Sequence, residues 1–464
     1  MTSPVPAVLT AVAARWDGPV AAAVDASPEL TIARRCADLA DLLATAASGT
    51  GRVAVVSGQL RGLTLSSVAT LRESGVEVVG LADPDDDQDE RRLWQLGVHS
   101  VVLADAASDV LVAALLAAAS HGSLSGADSR SLTGASPGWV PQLFAEGATP
   151  DAAEPTRESA SAVPGREVPG RVIVVWGPNG APGRTAVAVN LAVELAMLDR
   201  HVVLVDADTY GGCVAQTLAL LDEAPGVAAA ARSADQGALD VALLLRLLLE
   251  VRPGLRVLTG IPKADRWPEV RGAALERVLQ VCRAVADDVV VDVGFSLEDD
   301  EELSYDTQAP RRNQATLTAL QSADAAVVVG GCDPISLQRL VRGLQELGTV
   351  RAPEPMVVVN RLRSGPIGSP PARLVADALA RFAGVTDLHT VPDDPAAFDA
   401  AMLAGRALAE VAPHSPARRS IAQLAVRLDQ LAPIEGSLRR TGAARPGAGG
   451  GGRRHTRRWG RTRG

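Results

Sequence analysis

"GPNGAPGRTAVAVNLA", residues 177–192, follows the apolar run "RVIVVW" (171–176) and leads into an amphipathic helical pattern. A strand, a glycine-rich turn and a helix in that order can aim consecutive backbone N–H groups at phosphate oxygens, with the positive end of the helix behind them. Gly177, Gly180 and Gly183 supply the turn, and Thr185 opens the helix with a hydroxyl suited to Mg²⁺. The common pattern GxxxxGK[ST] is not met, because Pro178 stands at its first glycine and Arg184 at its lysine. Arginine keeps the positive charge but presents it on a bulkier planar fork. The chain has a single lysine, Lys263, against 44 arginines, so Arg184 also follows a chain-wide preference.

Two acidic strand ends accompany the turn. "RHVVLVDADTYGG" (200–212) places Asp206 and Asp208 at the C-terminal end of the next strand, where open α/β sheets bind ligands. "DDVVVDVGF" (287–295) ends with Asp292 two residues before Gly294, as in a strand that leads into a switch. "VVVNRL" (357–362) offers Asn360 and Arg361 to a base edge, and "VPDDPAAFDAAMLAG" (391–405) adds a backbone turn at Pro392 and Asp393. Each has a plainer alternative: a strand–helix turn that binds nothing, aspartates that cap helices, an asparagine that forms a turn.

In this order the residues resemble the ParA/MinD superfamily of deviant-Walker ATPases, most closely its CpaE/TadZ branch, in which a receiver-like domain precedes the ATPase. That family's loop, KGGxGK[ST], falls on Asn179, Gly180, Ala181, Pro182, Gly183, Arg184 and Thr185, with Ala186 following. The resemblance implies ATP and Mg²⁺ as ligands. Arg184 would sit on the phosphates and Asp208 would orient or activate the attacking water. Thr185, Asp206 and Asp292 would hold the Mg²⁺ shell, and Asn360, Arg361, Pro392 and Asp393 would line the nucleotide. The family's signature lysine, which reaches across a dimer to the partner's nucleotide, aligns with Asn179, a short neutral side chain. ATP binding with slow or partner-stimulated hydrolysis is the expectation.

The start lacks a basic flank and is interrupted by Pro4 and Pro6, so a cytoplasmic protein is expected, and by the same resemblance a homodimer, nucleotide-dependent in its pairing and peripheral at the inner face of the membrane. It would position or regulate a pilus or secretion machine through a secretion ATPase or a polar scaffold protein. Two other readings stand beside it: a pseudo-ATPase scaffold whose loop is structural, and a chromosome-partitioning or septum-site-determining ATPase. Arg339, Arg342, Arg418 and Arg419 lie on helices that face DNA in ParA-like proteins.

The fold expected is α/β throughout. Residues 1–120 alternate short apolar runs ("AVLTAV", "LTIARRC", "RVAVVS", "VEVVGLAD", "VHSVVLA") with helical segments, which predicts a doubly wound flavodoxin-like sheet. "RRLWQLGVHSVVLAD" (91–105) resembles the fourth helix and fifth strand of response-regulator receivers. The positions for a receiver's phosphoacceptor, acidic pair and lysine fall on Ser57, Thr10 to Ala13, and Ala104, so a pseudo-receiver is expected, with a generic flavodoxin-like domain as the alternative. Residues 121–168, rich in Gly, Ser, Ala and Pro, read as a flexible linker. Residues 169–432 read as the P-loop domain, with strands "RVIVVW", "HVVLVDAD", "LRVLTG", "DVVVDVGF", "AAVVVGG", "PMVVVNRL" and "LHTVP".

Residues 433–464 form an Arg/Gly-rich tail with nine arginines against one glutamate, expected to be disordered and suited to nonspecific contact with nucleic acid or anionic membrane. The chain as a whole has a formal net charge of −9, so the body is more acidic than the total and repels nucleic acid away from local basic patches. No stretch supplies the roughly 20 uninterrupted apolar residues of a membrane span. Cys36, Cys213, Cys282 and Cys332 lack metal-ligand spacing and read as reduced thiols. "FSLEDDEELSYDTQAPRRNQATLTAL" (295–320) carries an acidic run and then Arg311 and Arg312, either a solvated loop or a nucleotide-sensitive partner surface.

Overall fold

The computed structural model describes residues 5–121, 168–221, 224–299 and 310–430. The predicted linker, apart from its ends, and the Arg/Gly-rich tail lie outside these residues. Five N-terminal strands, β1 (Ala7–Ala11), β2 (Thr31–Arg35), β3 (Val53–Ser57), β4 (Glu77–Ala82) and β5 (Ser100–Leu103), form one sheet in the order β2-β1-β3-β4-β5. Every neighbouring pair is parallel. β3, at the centre and rich in valine, is buried along its whole length, as a parallel strand covered on both faces requires.

The neutral residues that stand where a receiver carries its charged groups lie at the C-terminal edge of this sheet. Ser57 ends β3, Thr10 and Ala11 end β1, and Ala104 follows β5. An acid does reach this edge, but from β4: Asp83 is contacted by the Arg15 guanidinium, accepts a 2.7 Å bond from the Gln59 amide and donates its own N–H to Asp89. Its charge is met by protein groups.

The second sheet contains β6 (Arg171–Trp176), β7 (Val202–Ala207), β8 (Leu249–Arg252), β9 (Leu255–Leu258), β10 (Asp288–Val293), β11 (Ala325–Gly331), β12 (Pro355–Leu362) and β13 (Leu388–Pro392). Its order is β13-β12-β11-β6-β10-β7-β9-β8. The seven expected strands are present and parallel. β8 is an addition and a correction, since it pairs antiparallel with β9 and ends the sheet on that side. The segment "VALLLRLLLEVR" (241–252) carries leucines enough for a continuous helix, but its helix stops at Leu247 and the chain turns through Pro253 and Gly254, the latter at φ +83°.

Helices pack on both faces of this sheet and make two apolar layers. One contains Val174, Trp176, Val205, Leu275 and Val291, the other Ile173, Val175, Leu191, Leu204 and Leu424. The two units of the chain touch: Ser66 donates both its N–H and its hydroxyl to Asp235, and Gly237, at φ +68°, packs against Leu96 where a side chain would not fit. Among the described residues no helix is long and apolar enough to cross a membrane.

At the N-terminal edge of the second sheet, Asp288 opens β10 in register with Arg171 of β6 and is fully buried. The guanidinium of Arg171 contacts Asp288 and the carbonyl of Leu428, while Arg200 Nε donates to Asp288 at 3.0 Å. This carboxylate therefore ties two central strands to the helix Pro416–Gln430. Asp288→Ala strands the Arg171 charge inside the protein, and a loss of about 3 to 5 kcal/mol is expected in urea unfolding of the full chain. A loss below about 0.5 kcal/mol, the range of surface changes, would contradict it.

Candidate functional site

The loop after β6 is held open by backbone conformations that side chains resist. Gly180 and Gly183 adopt φ of +74° and +83°, and Gly183 leads into the helix Arg184–Met197. A Cβ on Gly183 would fall 2.4 Å from the Asn360 amide nitrogen, and one on Gly177 would fall 2.3 Å from the carbonyl of Val329. The glycines are thus required by close approach as well as by φ. Pro178 closes the first turn by accepting the Ala181 N–H at 2.9 Å.

Beneath the loop, the Thr185 hydroxyl donates to Asp292 Oδ2 at 2.6 Å, and the Cys213 thiol approaches the same hydroxyl at 3.6 Å. Asp292 is fully buried and its other oxygen, Oδ1, has no hydrogen-bond partner among the described residues. Burial pushes its carboxyl well above the ordinary carboxylate range, with the neighbouring Asp206 charge adding to the effect. Asp206 lies beside it in register on β7, accepts the N–H groups of Asp208 and Val214, and is pushed up to about 7, mainly by burial.

Asp208 stands just past β7. Its Oδ1 accepts the N–H groups of Tyr210 and Gly211, and its Oδ2 lies 3.5 Å from Arg184 Nη2. Arg184 also donates through Nη1 to the carbonyl of Gly177 at 2.9 Å. Its side chain therefore folds back over the loop it follows and pairs with the acid across the site.

The residues fit a phosphate and its metal. Consecutive amides in a glycine turn at a helix N-terminus favour an anion. A buried carboxylate oxygen without a partner, next to a threonine hydroxyl, favours a cation. Among the described residues no three His, Cys, Asp or Glu side chains are arranged to hold a metal by themselves. Mg²⁺, which keeps several waters and is held by few protein groups together with substrate phosphates, would need only Thr185 and the neighbouring Asp292 here.

The structure thus brings together Gly180, Ala181, Pro182, Gly183, Arg184, Thr185, Asp206, Asp208 and Asp292. Asn179 is exposed at the loop tip, and Ala186 accepts from the Asn190 amide through its carbonyl. Asn360 is 2% exposed; its amide donates to the Pro182 carbonyl at 3.0 Å and its Oδ1 accepts the Arg361 N–H. It braces the loop from behind, and a base edge would have to displace one of these bonds. Arg361 is exposed with φ +55°, at an irregularity in the β12–β13 pairing. Pro392 and Asp393 lie at the end of β13, with β12 and β11 between them and β6, and Asp393 pairs with Arg363. Arg418 does not present a free cation to DNA, because it makes a two-pronged bond to the buried Glu194 at 2.6 and 2.8 Å.

A further set of residues escapes a reading of the sequence. Tyr210 stacks at 4.7 Å on Phe295 and donates its hydroxyl to Asn313 Oδ1, and Asn313 donates in turn to the Glu298 carbonyl. Arg312 lies 3.8 Å over the Tyr210 ring and bonds to the Thr209 hydroxyl and carbonyl. Trp176 reaches the same place through its indole N–H, which donates to the Phe295 carbonyl. The loop carrying Asp208 is thereby fastened to the segments after β10. Arg311 pairs with Asp299, while the rest of the acidic run, from Asp300, lies outside the described residues. All four cysteines are free.

No family model matches the chain, and no curated protein matches it either. Solved structures do. A ParA family ATPase from Chlorobium tepidum aligns at 19% identity over 55% of this chain and 98% of its own, with a TM-score of 0.47. The septum site-determining protein MinD from Pyrococcus horikoshii, complexed with Mg-ADP, aligns at 20% identity over 57% and 98%, with a TM-score of 0.46. Cyanothece McdA in its apo form aligns at 15% identity over 55% and 99%, with a TM-score of 0.43. These are distant likenesses.

The acid cluster has a pH signature. Asp206 titrates near its ordinary value of about 4 when unfolded and at about 7 when folded, so between these limits the folded state holds more protons. Its contribution to stability is complete below about pH 4 and is lost as pH rises through about 7. Asp206→Asn is expected to flatten this part of the stability profile of the ligand-free protein, measured by denaturant titration from pH 4 to 8. A variant profile parallel to that of the wild type would contradict the shift.

Proposed function

We propose that residues 169–432 bind ATP with Mg²⁺ at the loop after β6 and act as a slow nucleotide switch of the ParA/MinD type. The observation that carries this reading is the pairing of Thr185 with the buried Asp292, whose second oxygen has no partner among the described residues, beneath a loop that only glycine can form at Gly180 and Gly183. Backbone N–H groups of Gly180, Gly183, Arg184 and Thr185 would hold the phosphates, since Pro182 has none and that of Ala181 is bonded to Pro178. Thr185 would ligate Mg²⁺, while Asp292 and Asp206 would accept hydrogen bonds from its waters. The metal would neutralise the charge that develops during phosphoryl transfer.

Arg184 gives the switch its restraint. Its guanidinium bonds to Gly177 and pairs with Asp208. A triphosphate competes for the same guanidinium through stronger charge-assisted bonds. Asp208, released from Arg184 and still oriented by the Tyr210 and Gly211 N–H groups, would then be free to position water. Because Tyr210 bonds to Asn313 and lies under the Arg312 guanidinium, movement of Asp208 would be passed to the segments after β10. Slow hydrolysis follows from a bulky fork at the lysine position and a neutral Asn179.

The N-terminal unit supports a receiver-like docking role without phosphoryl chemistry, since the carboxylate at its sheet edge is already met by Arg15 and Gln59. With the ATPase-like unit behind it, this arrangement favours a role of the CpaE/TadZ kind. Two copies would pair in a nucleotide-dependent way and place a pilus or secretion machine at the inner face of the membrane. The Arg-rich tail is suited to hold the protein there or on nucleic acid.

Equilibrium titration with ATP, with and without Mg²⁺, tests the reading. Wild-type protein is expected to bind ATP with Mg²⁺, Arg184→Ala to weaken binding at least about tenfold, and Thr185→Ala to remove the benefit of Mg²⁺. Arg184→Lys is expected to bind and to hydrolyse faster than wild type. Failure of both wild type and Arg184→Lys to bind ATP would leave the scaffold reading.

A further inference from the structure

Helix Pro334–Leu347 follows β11 and lies directly against the loop. Gly343 packs on Pro178, where an added Cβ would sit 2.9 Å from the proline, and a Cβ on Gly331, just before the helix, would sit 2.8 Å from Ser336 and 3.1 Å from Pro182. Ser336, Arg339 and Gly343 follow one another at spacings of three and four residues, so they share the face turned to the loop. Between the two glycine contacts, Arg339 reaches the loop tip. Its Nη1 lies 2.1 Å from the place a Cβ on Gly180 would occupy, so the guanidinium rests on Gly180 itself.

Arg339 is exposed and has no hydrogen bond or ion pair with any described residue. The nearest acid on its own helix start, Asp333, is spent on capping the helix and on the Ser336 hydroxyl. An unpaired cation held beside a turn of converging N–H groups is a repulsive arrangement until an anion lies between them. The packing of the helix on the loop brings Arg339 within reach of the loop tip.

We propose that Arg339 is a phosphate ligand supplied by the same chain, adding at the loop tip the positive charge that the neutral Asn179 does not provide. The ligand class is a nucleoside triphosphate, and the proposal rests on the nucleotide reading above. Its guanidinium would offer a planar pair of donors to the terminal phosphate from the β11 side of β6, whereas Asp208 follows β7 on the other side. Charge at that position favours the triphosphate over the diphosphate, because the extra group is the one it reaches.

The test uses the full chain with Mg²⁺, titrated separately with ATP and ADP, for wild type, Arg339→Ala and Arg339→Lys. Arg339→Ala is expected to weaken ATP about tenfold and ADP by less than about threefold, as for loss of one charge-assisted bond. Arg339→Lys should recover most of the ATP affinity, and the melting temperature without nucleotide should not change in either variant, which a merely structural role would not produce. Wild-type ATP affinity in Arg339→Ala overturns the proposal and leaves the nucleotide reading standing. A wild-type protein that binds neither nucleotide overturns both.

Discussion

The buried bond between Thr185 and Asp292 governs the rest of the site. It joins the first turn of the helix after β6 to the end of β10, the strand beside β6 in the sheet. Two fully buried strands fix its ends to within the tolerance of parallel pairing, and the loop between Trp176 and Thr185 has to close over it in few residues. Glycine at the left-handed positions 180 and 183 makes that closure feasible. What remains is a carboxylate oxygen inside the protein with no partner among the described residues, a cost that proteins rarely leave uncompensated.

Electrostatics follow from the same placement. Asp206, Asp208 and Asp292 converge at adjacent strand ends, where burial and mutual repulsion favour protonation of the first and last. Arg184 lies 3.5 Å from Asp208, at the more accessible side of the cluster. Cationic ligands would relieve this repulsion and anionic ligands would draw Arg184 away, so metal and phosphate would act on different parts of one charge arrangement. The aromatic lattice of Tyr210, Phe295 and Arg312 then connects that change to the helix Gln314–Gln321.

Much of this is legible in the sequence because parallel strands buried on both faces leave uninterrupted valine-rich runs, and because loop glycines and strand-end aspartates stand next to such runs. β8 is hidden because "LLLRLLLEVR" satisfies a helix as well as an edge strand, and only Pro253 and Gly254 betray the hairpin. The sequence offers Asn360 to a base edge, but it cannot show that the amide is consumed by Pro182. The contacts of Tyr210 with Asn313 and of Arg339 with Gly180 join residues more than a hundred positions apart. No local pattern marks them, and Arg339 in particular reads as one of several helix arginines. In the N-terminal unit the five strands are plain from alternation alone, yet the chemistry at their tips depends on which acid the fold delivers there. Asp83 arrives from β4 already met by Arg15 and Gln59, so its charge is spent within the protein.

Amide hydrogen exchange of the full chain, with Mg²⁺ and saturating ATP against protein alone, tests most directly whether the backbone from Gly180 to Thr185 is an anion cradle. Slowed exchange confined to this loop and to residues 206–211 is the expected result. Exchange at Gly180 to Thr185 that is the same with and without nucleotide would contradict it.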